Sequence, residues 1–155
     1  MSLLKLHHLL GRLSSPFQHA GFFVYNHFFS TQRSRVLVWN ENNELLLVRN
    51  WGGKQHWGLP GGGVEKNESP VAAAKRELYE EVGVSLPLDD FHYVTTLHYK
   101  YEAPIYTLTI QSDMVPDKAH NPWEITALEW FSPSDLPANL SPLVPLALEE
   151  LSNSA

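Results

Sequence analysis

Three carboxylates lie close together in the chain, at Glu77, Glu80 and Glu81. Residues three and four apart are neighbours on a helix, so a helix here would project all three into one small patch. Like charges at this spacing repel, and the C-terminal half of a helix disfavours anions. Mg²⁺ takes oxygen ligands and is commonly shared between carboxylates and substrate phosphates. The cluster therefore indicates a divalent-metal site, with a solvated acidic face neutralised by Lys75 and Arg76 as the alternative.

A helix that begins at Ser69-Pro70 would position these carboxylates. Ser is a favoured N-cap, and Pro is favoured at the first helical position. Gly83 fits the position just after a helix. The predicted inward face consists of apolar residues at helical spacing, namely Val71, Ala74, Leu78 and Val82. The glycines at 61–63 precede this helix and allow a ligand to approach the main chain closely.

Strand patterns flank the helix on both sides. Two Val- and Leu-rich runs, Arg35–Trp39 and Glu44–Val48, enclose an Asn-rich turn and predict a β-hairpin. The other predicted elements are strands at Phe91–Tyr101, Ile105–Gln111 and Glu124–Phe131, and a helix from Ser141-Pro142 to about Leu151. Mixed strands with a helix between them indicate an α/β or α+β layered domain.

The spacing around the carboxylates follows a defined motif. From Gly62 the chain reads Gly-x5-Glu68-x7-Arg76-Glu77-Leu78-x-Glu80-Glu81-x-Gly83-Val84. This resembles the Nudix box, G-x5-E-x7-R-E-U-x-E-E-x-G-U with U an aliphatic residue, at every defined position. The resemblance spans most of 35–137 and leaves the first 34 residues outside it.

The resemblance implies an α/β/α sandwich around a mixed sheet and hydrolysis that depends on Mg²⁺ or Mn²⁺. The substrate would be a nucleoside diphosphate linked to another group, such as a nucleotide, a nucleotide sugar or a dinucleoside polyphosphate. A non-catalytic Nudix-fold module that binds or senses a nucleotide is the alternative. Such modules usually lose box carboxylates, and this chain retains them.

The resemblance also implies roles for individual residues. The metal ligands would be the Gly61 carbonyl, Glu77, Glu80, Glu81 and a downstream carboxylate that Glu124 resembles. Glu77 and Glu124 are equal candidates for the general base, and Glu81 joins them in the catalytic set. Glu68 and Arg76 resemble the pair that braces the loop against the helix, so their role, like that of Gly62 and Gly83, is expected to be structural.

Basic and aromatic residues near the glycine loop are candidates for substrate contacts. Arg35, Arg49 and Lys54 precede the loop, and Arg49 is the first choice for a phosphate, with an exposed strand-end charge as the alternative. Four aromatic residues are candidates for stacking on a base or sugar, although aromatic residues are more often part of a core. They are Trp51, Trp57, Tyr99 and Tyr101.

Composition and charge limit the remaining possibilities. The chain has 155 residues and no Cys, which excludes disulfides and thiolate nucleophiles. All 17 acidic residues follow position 40, and this acidic body argues against binding to duplex nucleic acid and suits a protein that concentrates divalent cations. The small-molecule nucleotide partner is what the resemblance to the Nudix family implies. No apolar run is long enough to span a membrane.

The basic N-terminal region is a separate feature. Residues 1–33 are predicted to form an accessory segment with a helix, packed on the body or on a second copy in a homodimer, and 34–155 to form the Nudix domain. We expect a cytoplasmic protein, with organellar targeting by the N-terminus as the alternative.

Overall fold

The computed structural model describes residues 32–51, 55–98, 105–112, 121 and 124–154. These residues contain a six-stranded mixed sheet and two α-helices. All of them belong to the unit Thr31–Ala155. A short 3₁₀ helix, Leu88–Asp90, precedes β4. The strands are β1 (Arg33–Trp39), β2 (Leu45–Asn50), β3 (Trp57–Gly58), β4 (His92–Leu97), β5 (Ile105–Gln111) and β6 (Ile125–Phe131), and the helices are α1 (Pro70–Val82) and α2 (Leu143–Ser154).

The first two strands separate soon after their turn. Trp39 and Leu45 are paired where the strands meet, and the Asn40 side chain accepts hydrogen bonds from the backbone of Asn42 and Glu44 in the turn. Along its length, however, β1 pairs in parallel with β5, and β2 pairs antiparallel with β6. The predicted hairpin is therefore confirmed, with antiparallel pairing of β1 and β2 next to the turn, and the separation beyond it leaves one edge of β1 open.

The two helices cover opposite faces of the sheet. Side chains alternate along a strand, so Val36 and Val38 of β1 pack with Leu78 of α1, whereas Leu37 packs with Val144 of α2. The same alternation sends Leu46 and Val48 of β2 toward α1, and Leu45 and Leu47 toward α2. This layering confirms the expected α/β/α arrangement around a mixed sheet.

Helix α1 begins and ends where the capping residues predict. The Ser69 hydroxyl accepts a hydrogen bond from the Ala72 N–H at 3.2 Å, and Pro70 is the first helical residue. Gly83 adopts the left-handed conformation with φ 79° and donates its N–H to the Tyr79 carbonyl at 2.8 Å. The orientation of the carboxylate face is thus determined by signals local to the sequence.

Some predicted boundaries are wrong, and some predictions fall outside the described residues. Strand β4 ends at Leu97 rather than at residue 101, and α2 continues to Ser154. Strand β1 begins at Arg33. The accessory segment predicted for residues 1–33, with its homodimer contact and its targeting role, lies almost entirely outside the described residues, because 1–31 are not described, and it stays a prediction. Among the described residues, no helix has the length and apolar character to cross a membrane.

Candidate active site

A glycine segment occupies the edge of β1 that β2 leaves open. Ser34 N–H donates to the Gly62 carbonyl at 2.9 Å, and Val36 N–H donates to the Pro60 carbonyl at 3.0 Å. Gly61 has φ +125°, and a Cβ there would collide with the Ser34 carbonyl oxygen. Only glycine fits this position without strain, because it combines a left-handed φ with contact against a neighbouring backbone.

The carboxylates of α1 lie against this glycine segment. A Cβ on Gly62 would overlap the Glu77 carboxylate, with Oε2 only 2.7 Å away. Glu81 Oε2 accepts the Gly61 N–H at 2.8 Å. Glu77 and Glu81 are only 2% and 1% exposed, whereas Glu80 is half-buried. The loop and helix therefore form one unit, in which the absence of a side chain at 62 admits the buried Glu77 carboxylate and the Gly61 N–H binds the buried Glu81 carboxylate.

Burial has a large electrostatic effect on these carboxylates. It raises the pKa of Glu81 to about 8, because Arg35 and the Gly61 N–H only partly offset desolvation and the nearby charges of Glu77 and Glu124 add to the shift. Burial also raises the pKa of Glu80. A cluster of buried anions that repel one another is unstable unless a cation compensates it.

Arg76 supplies part of that compensation. Its Nε and Nη2 donate to the two oxygens of Glu68 at 3.0 and 2.9 Å, and Nη2 also donates to the Gly63 carbonyl at 2.9 Å. Its Nη1 contacts Glu77 Oε1 at 2.8 Å and Glu80 Oε2 at 3.3 Å. Burial by itself would lower the pKa of Arg76, but the carboxylates of Glu68 and Glu77 outweigh that effect and raise the pKa. The sequence motif anticipated the contact with Glu68, and it missed the contact with Glu77.

A second guanidinium, that of Arg35, lies near the cluster from β1. Burial lowers the pKa of Arg35, while the charges of Glu81, Glu77 and Glu124 oppose that shift. Within the described residues, this guanidinium makes no hydrogen bond and no ion pair. Its neighbour on β5, Thr107, is fully buried, and Thr107 Oγ1 has no hydrogen-bond partner in the described part of the chain. Sequence analysis missed Thr107, because its pairing with Arg35 depends on the parallel register of β1 and β5.

Glu124 approaches the site from the start of β6. Its charge contributes to the pKa shifts of both Arg35 and Glu81, which places it within electrostatic reach of the cluster. The Asn121 side-chain amide donates to Glu124 Oε2 at 3.2 Å, and the Glu124 carbonyl accepts the Trp51 N–H at 2.7 Å. Asn121 was not among the sequence candidates. The Asn-x-x-Glu spacing before a strand was the available signal.

Arg49 and Trp57 lie together on neighbouring strands. The Arg49 guanidinium carbon is 5.1 Å from the centre of the Trp57 ring, and Trp57 packs edge-on against Phe131 with ring centres 5.0 Å apart. Trp57 is only 8% exposed, so it belongs to the core beside α2, whereas Trp51 is 71% exposed. Lys54, Tyr99 and Tyr101 lie outside the described residues.

The carboxylate and carbonyl oxygens of the site are the kind of ligand that a hard divalent cation takes, although the described side chains are not close enough together to coordinate one. In the described part of the chain, no three acidic or histidine side chains are close enough together to hold a metal ion. Arg76 Nη1 lies 2.8 Å from Glu77 Oε1 and 3.3 Å from Glu80 Oε2, so the guanidinium bridges these two carboxylates. Glu81 Oε1 is buried without a hydrogen-bond partner among the described residues, as a ligand oxygen would be before it binds a cation.

Comparisons with known proteins agree with this geometry. The profile of the NUDIX domain family matches residues 29–149. Diphosphoinositol polyphosphate phosphohydrolase 2 of Rattus norvegicus is 34% identical over 101 residues, which are 61% of this chain and 53% of that protein. RNA pyrophosphohydrolase of Tolumonas auensis is 34% identical over 97 residues, with the same two coverages. The chain thus matches about half the length of these curated relatives.

A solved structure has a similar fold. The crystal structure of a MutT NUDIX hydrolase from Burkholderia pseudomallei superposes with a TM-score of 0.66 and 25% sequence identity. The superposition covers 77% of this chain and 98% of that chain.

Proposed function

Since this chain belongs to the NUDIX domain family, we propose that it is a divalent-metal-dependent hydrolase. The bond cleaved is a pyrophosphate bond in a nucleoside diphosphate linked to another group, and the cofactor is Mg²⁺ or Mn²⁺. The observation that carries the proposal is the burial of Glu77 and Glu81 to 2% and 1% exposure beside the backbone of Gly61 and Gly62. Buried carboxylates at this density need a cation, and a phosphate-bound divalent ion supplies one.

Each group of residues has a proposed role. Glu77, Glu80 and Glu81, with the Gly61 carbonyl, would hold the ion, which when bound stabilises developing charge on phosphate oxygens. Arg35 lies within reach of the same carboxylates and would bind the oxygens of the pyrophosphate. Arg76 and Glu68 hold the glycine segment on α1, so their contribution is positional.

We assign the general base to Glu124. The Arg76 guanidinium holds Glu77 Oε1 at 2.8 Å, and the remainder of that carboxylate lies against Gly62. Glu124, in contrast, is half-buried and accepts a hydrogen bond from the neutral Asn121 side-chain amide. A general base must be within hydrogen-bond reach of the proton that it removes.

The test is an assay of the full chain with Mg²⁺ on a panel of nucleoside diphosphate derivatives, with products identified by mass spectrometry. We expect hydrolysis at a phosphoric anhydride bond, loss of activity in EDTA, and a fall in kcat of about a hundredfold or more for Glu81→Gln. Glu129→Gln, which changes an exposed carboxylate on β6, is the matched control. Activity of Glu81→Gln within about threefold of wild type at saturating Mg²⁺ would contradict the assignment.

A further inference from the structure

We infer that Asn121 is a positioning residue for Glu124, whose carboxylate its side-chain amide holds in the orientation that proton transfer requires. The inference rests on the proposed hydrolysis and on the assignment of Glu124 as its general base. It adds to the site a residue that lies outside the box and whose neutral amide does not itself take up or release a proton.

The side chains of Asn121 and Glu124 are joined directly. The Asn121 amide nitrogen donates to Glu124 Oε2 at 3.2 Å, and both residues are half-buried. A hydrogen bond to one oxygen of a carboxylate restricts the rotation of the whole group. Because the amide carries no charge, it restricts Glu124 without pairing it with a cation, unlike the contact of Arg76 with Glu77. The contact therefore has the properties of an orienting hydrogen bond.

The turn before β6 is closed without this side chain. The main-chain carbonyl of Asn121 accepts the N–H groups of Glu124 at 3.2 Å and of Ile125 at 2.9 Å. Removing the amide leaves both of these backbone hydrogen bonds possible. The amide is thus not required to close the turn, and Glu124 Oε2 is the acceptor toward which it is directed.

The main chain of Glu124 is held at the end of β2. Trp51 N–H donates to the Glu124 carbonyl at 2.7 Å. The register of β2 and β6 shifts just before Asn50, and such irregularities re-aim side chains and are over-represented next to active sites. With the backbone of Glu124 held in this way, the direction of its carboxylate depends on its side-chain torsions, and the Asn121 amide restricts these.

The orientation of Glu124 matters because its carboxylate lies at the border of the acidic cluster. Its charge acts on Glu80, Glu81 and Arg35. The two carboxylates repel it and the guanidinium attracts it, so an unrestrained side chain is drawn toward Arg35. A general base must lie within hydrogen-bond reach of the proton that it removes. Loss of the amide should therefore weaken proton transfer.

The alternative is that Asn121 only stabilises the loop before β6. A structural role of that kind lowers kcat by the same factor whether residue 124 is Glu or Gln. A positioning role acts through the Glu124 carboxylate, so its effect on kcat disappears when residue 124 no longer accepts a proton. Residues that act as a unit give non-additive effects, and a double-mutant cycle measures them.

The experiment is this cycle in the full chain with Mg²⁺. The substrate is whichever of ADP-ribose, UDP-glucose and diadenosine tetraphosphate the wild type hydrolyses fastest. Asn121→Ala should lower kcat by about tenfold and leave KM within about threefold of wild type, because it misplaces a reacting group. In the Glu124→Gln background, the same substitution should change kcat by less than about twofold. Asn121→Ser, which also removes the amide, repeats the cycle if Asn121→Ala does not melt cooperatively.

Asn40 supplies a matched control. Its side-chain amide donates to Glu44 Oε2 at 2.8 Å, at the opposite end of β2 from Glu124. Asn121→Asp and Asn40→Asp each replace the amide donor with a second carboxylate of nearly the same shape. Asn121→Asp should lower kcat at least as far as Asn121→Ala does, because a like charge displaces Glu124. Asn40→Asp should leave kcat within about twofold of wild type, since distant sites act independently.

The outcomes separate this inference from its premises. An equal fall in kcat for Asn121→Ala in both backgrounds, or wild-type kcat in Asn121→Ala, would overturn the positioning role alone. A wild type that hydrolyses none of the three compounds and nothing in the wider substrate panel would contradict the proposed function. Full activity in Glu124→Gln would contradict the assignment of the base. Either of the last two results would overturn the inference through its premise.

Discussion

At the scale of single residues, the site assigns different environments to chemically identical side chains. Glu81 is almost fully buried and accepts the Gly61 N–H, whereas Glu124 is half-buried and accepts an amide N–H from Asn121. A fully enclosed carboxylate suits a ligand that holds a metal in place, and a more accessible one suits proton transfer to and from water. The division between ligand and base can therefore be tested by comparing two isosteric substitutions.

Glu124→Gln should lower kcat by about two to three orders of magnitude, as expected for the loss of a general base. Its affinity for Mn²⁺, measured by calorimetry without substrate, should stay within about threefold of wild type, because three carboxylates of α1 remain. Glu81→Gln should lose both activity and Mn²⁺ affinity. If Glu124→Gln loses Mn²⁺ affinity as severely as Glu81→Gln does, Glu124 acts as a metal ligand and the assignment of the base is wrong.

The sequence identified the carboxylates more readily than the residues around them. Glu77, Glu80 and Glu81 follow from a local spacing on one helix. The contact between Arg76 and Glu77 does not, because adjacent helical residues point about 100° apart, and it forms where Gly62 brings the loop against Glu77. Thr107 and Asn121 were missed for a related reason, since neither lies in the motif.

At the scale of elements, α1 and the glycine segment form one structural unit. The side chain of Arg76 joins them, with contacts to the Gly63 carbonyl on the loop side and to Glu77 and Glu80 on the helix side. Glu68, in the turn between them, accepts hydrogen bonds from Arg76 Nε and Nη2. The side chains of Arg76 and Glu68 are 24% and 16% exposed, so the contact is only partly screened by solvent.

Arg76→Ala should destabilise the protein by about 1–3 kcal/mol, because it leaves partly buried carboxylates without their donor. Metal affinity should fall with stability, since the loop loses its anchor. Glu68→Gln should be milder, because its amide oxygen still accepts a hydrogen bond from the guanidinium. The check is a pair of urea melts with activity measured in parallel. Loss of activity in Arg76→Ala at unchanged stability would place Arg76 on the substrate instead.

Secondary structure was predictable where the signal was local. The N-cap Ser69, Pro70 and the final Gly83 identified α1 within the chain, and their roles are visible in the structure. The pairing of β1 was not predictable in the same way. Its main partner β5 is about seventy residues away in sequence, and no periodicity within β1 specifies a distant parallel partner. The open edge that accommodates the glycine segment is a consequence of that pairing.

At the scale of the whole molecule, we expect the buried carboxylates of the site to reduce the stability of the metal-free fold. The chain is acidic overall, with a net charge of −6, and it still buries Glu77 and Glu81 together. Burying one such charge is unfavourable unless a cation compensates it. A protein retains such a conflict where function requires it, so the metal-free protein should become more stable when a buried charge is removed.

The pH dependence of stability in EDTA measures this cost. Burial raises the pKa of Glu81 from 4.5 to about 8, so between these values the folded protein holds a proton that the unfolded chain has released. The free energy of unfolding should therefore decrease as pH rises from 4.5 to 8, by at most about 1.4 kcal/mol per pH unit for this group. The raised pKa of Glu80 also makes the free energy of unfolding decrease as pH rises. The lowered pKa of Glu68 changes the free energy of unfolding below pH 4.5, outside this range.

Glu81→Gln removes the titrating group at nearly constant shape. We expect its melting temperature in EDTA to exceed that of wild type by more at pH 8 than at pH 5, because the charge is largely suppressed in the folded wild type at the lower pH. A difference in melting temperature that is the same at both values of pH would contradict this expectation. It would show that Glu81 is ionised at both values, because Arg35 and the Gly61 N–H already compensate its charge. The buried carboxylate would then not lower the free energy of unfolding.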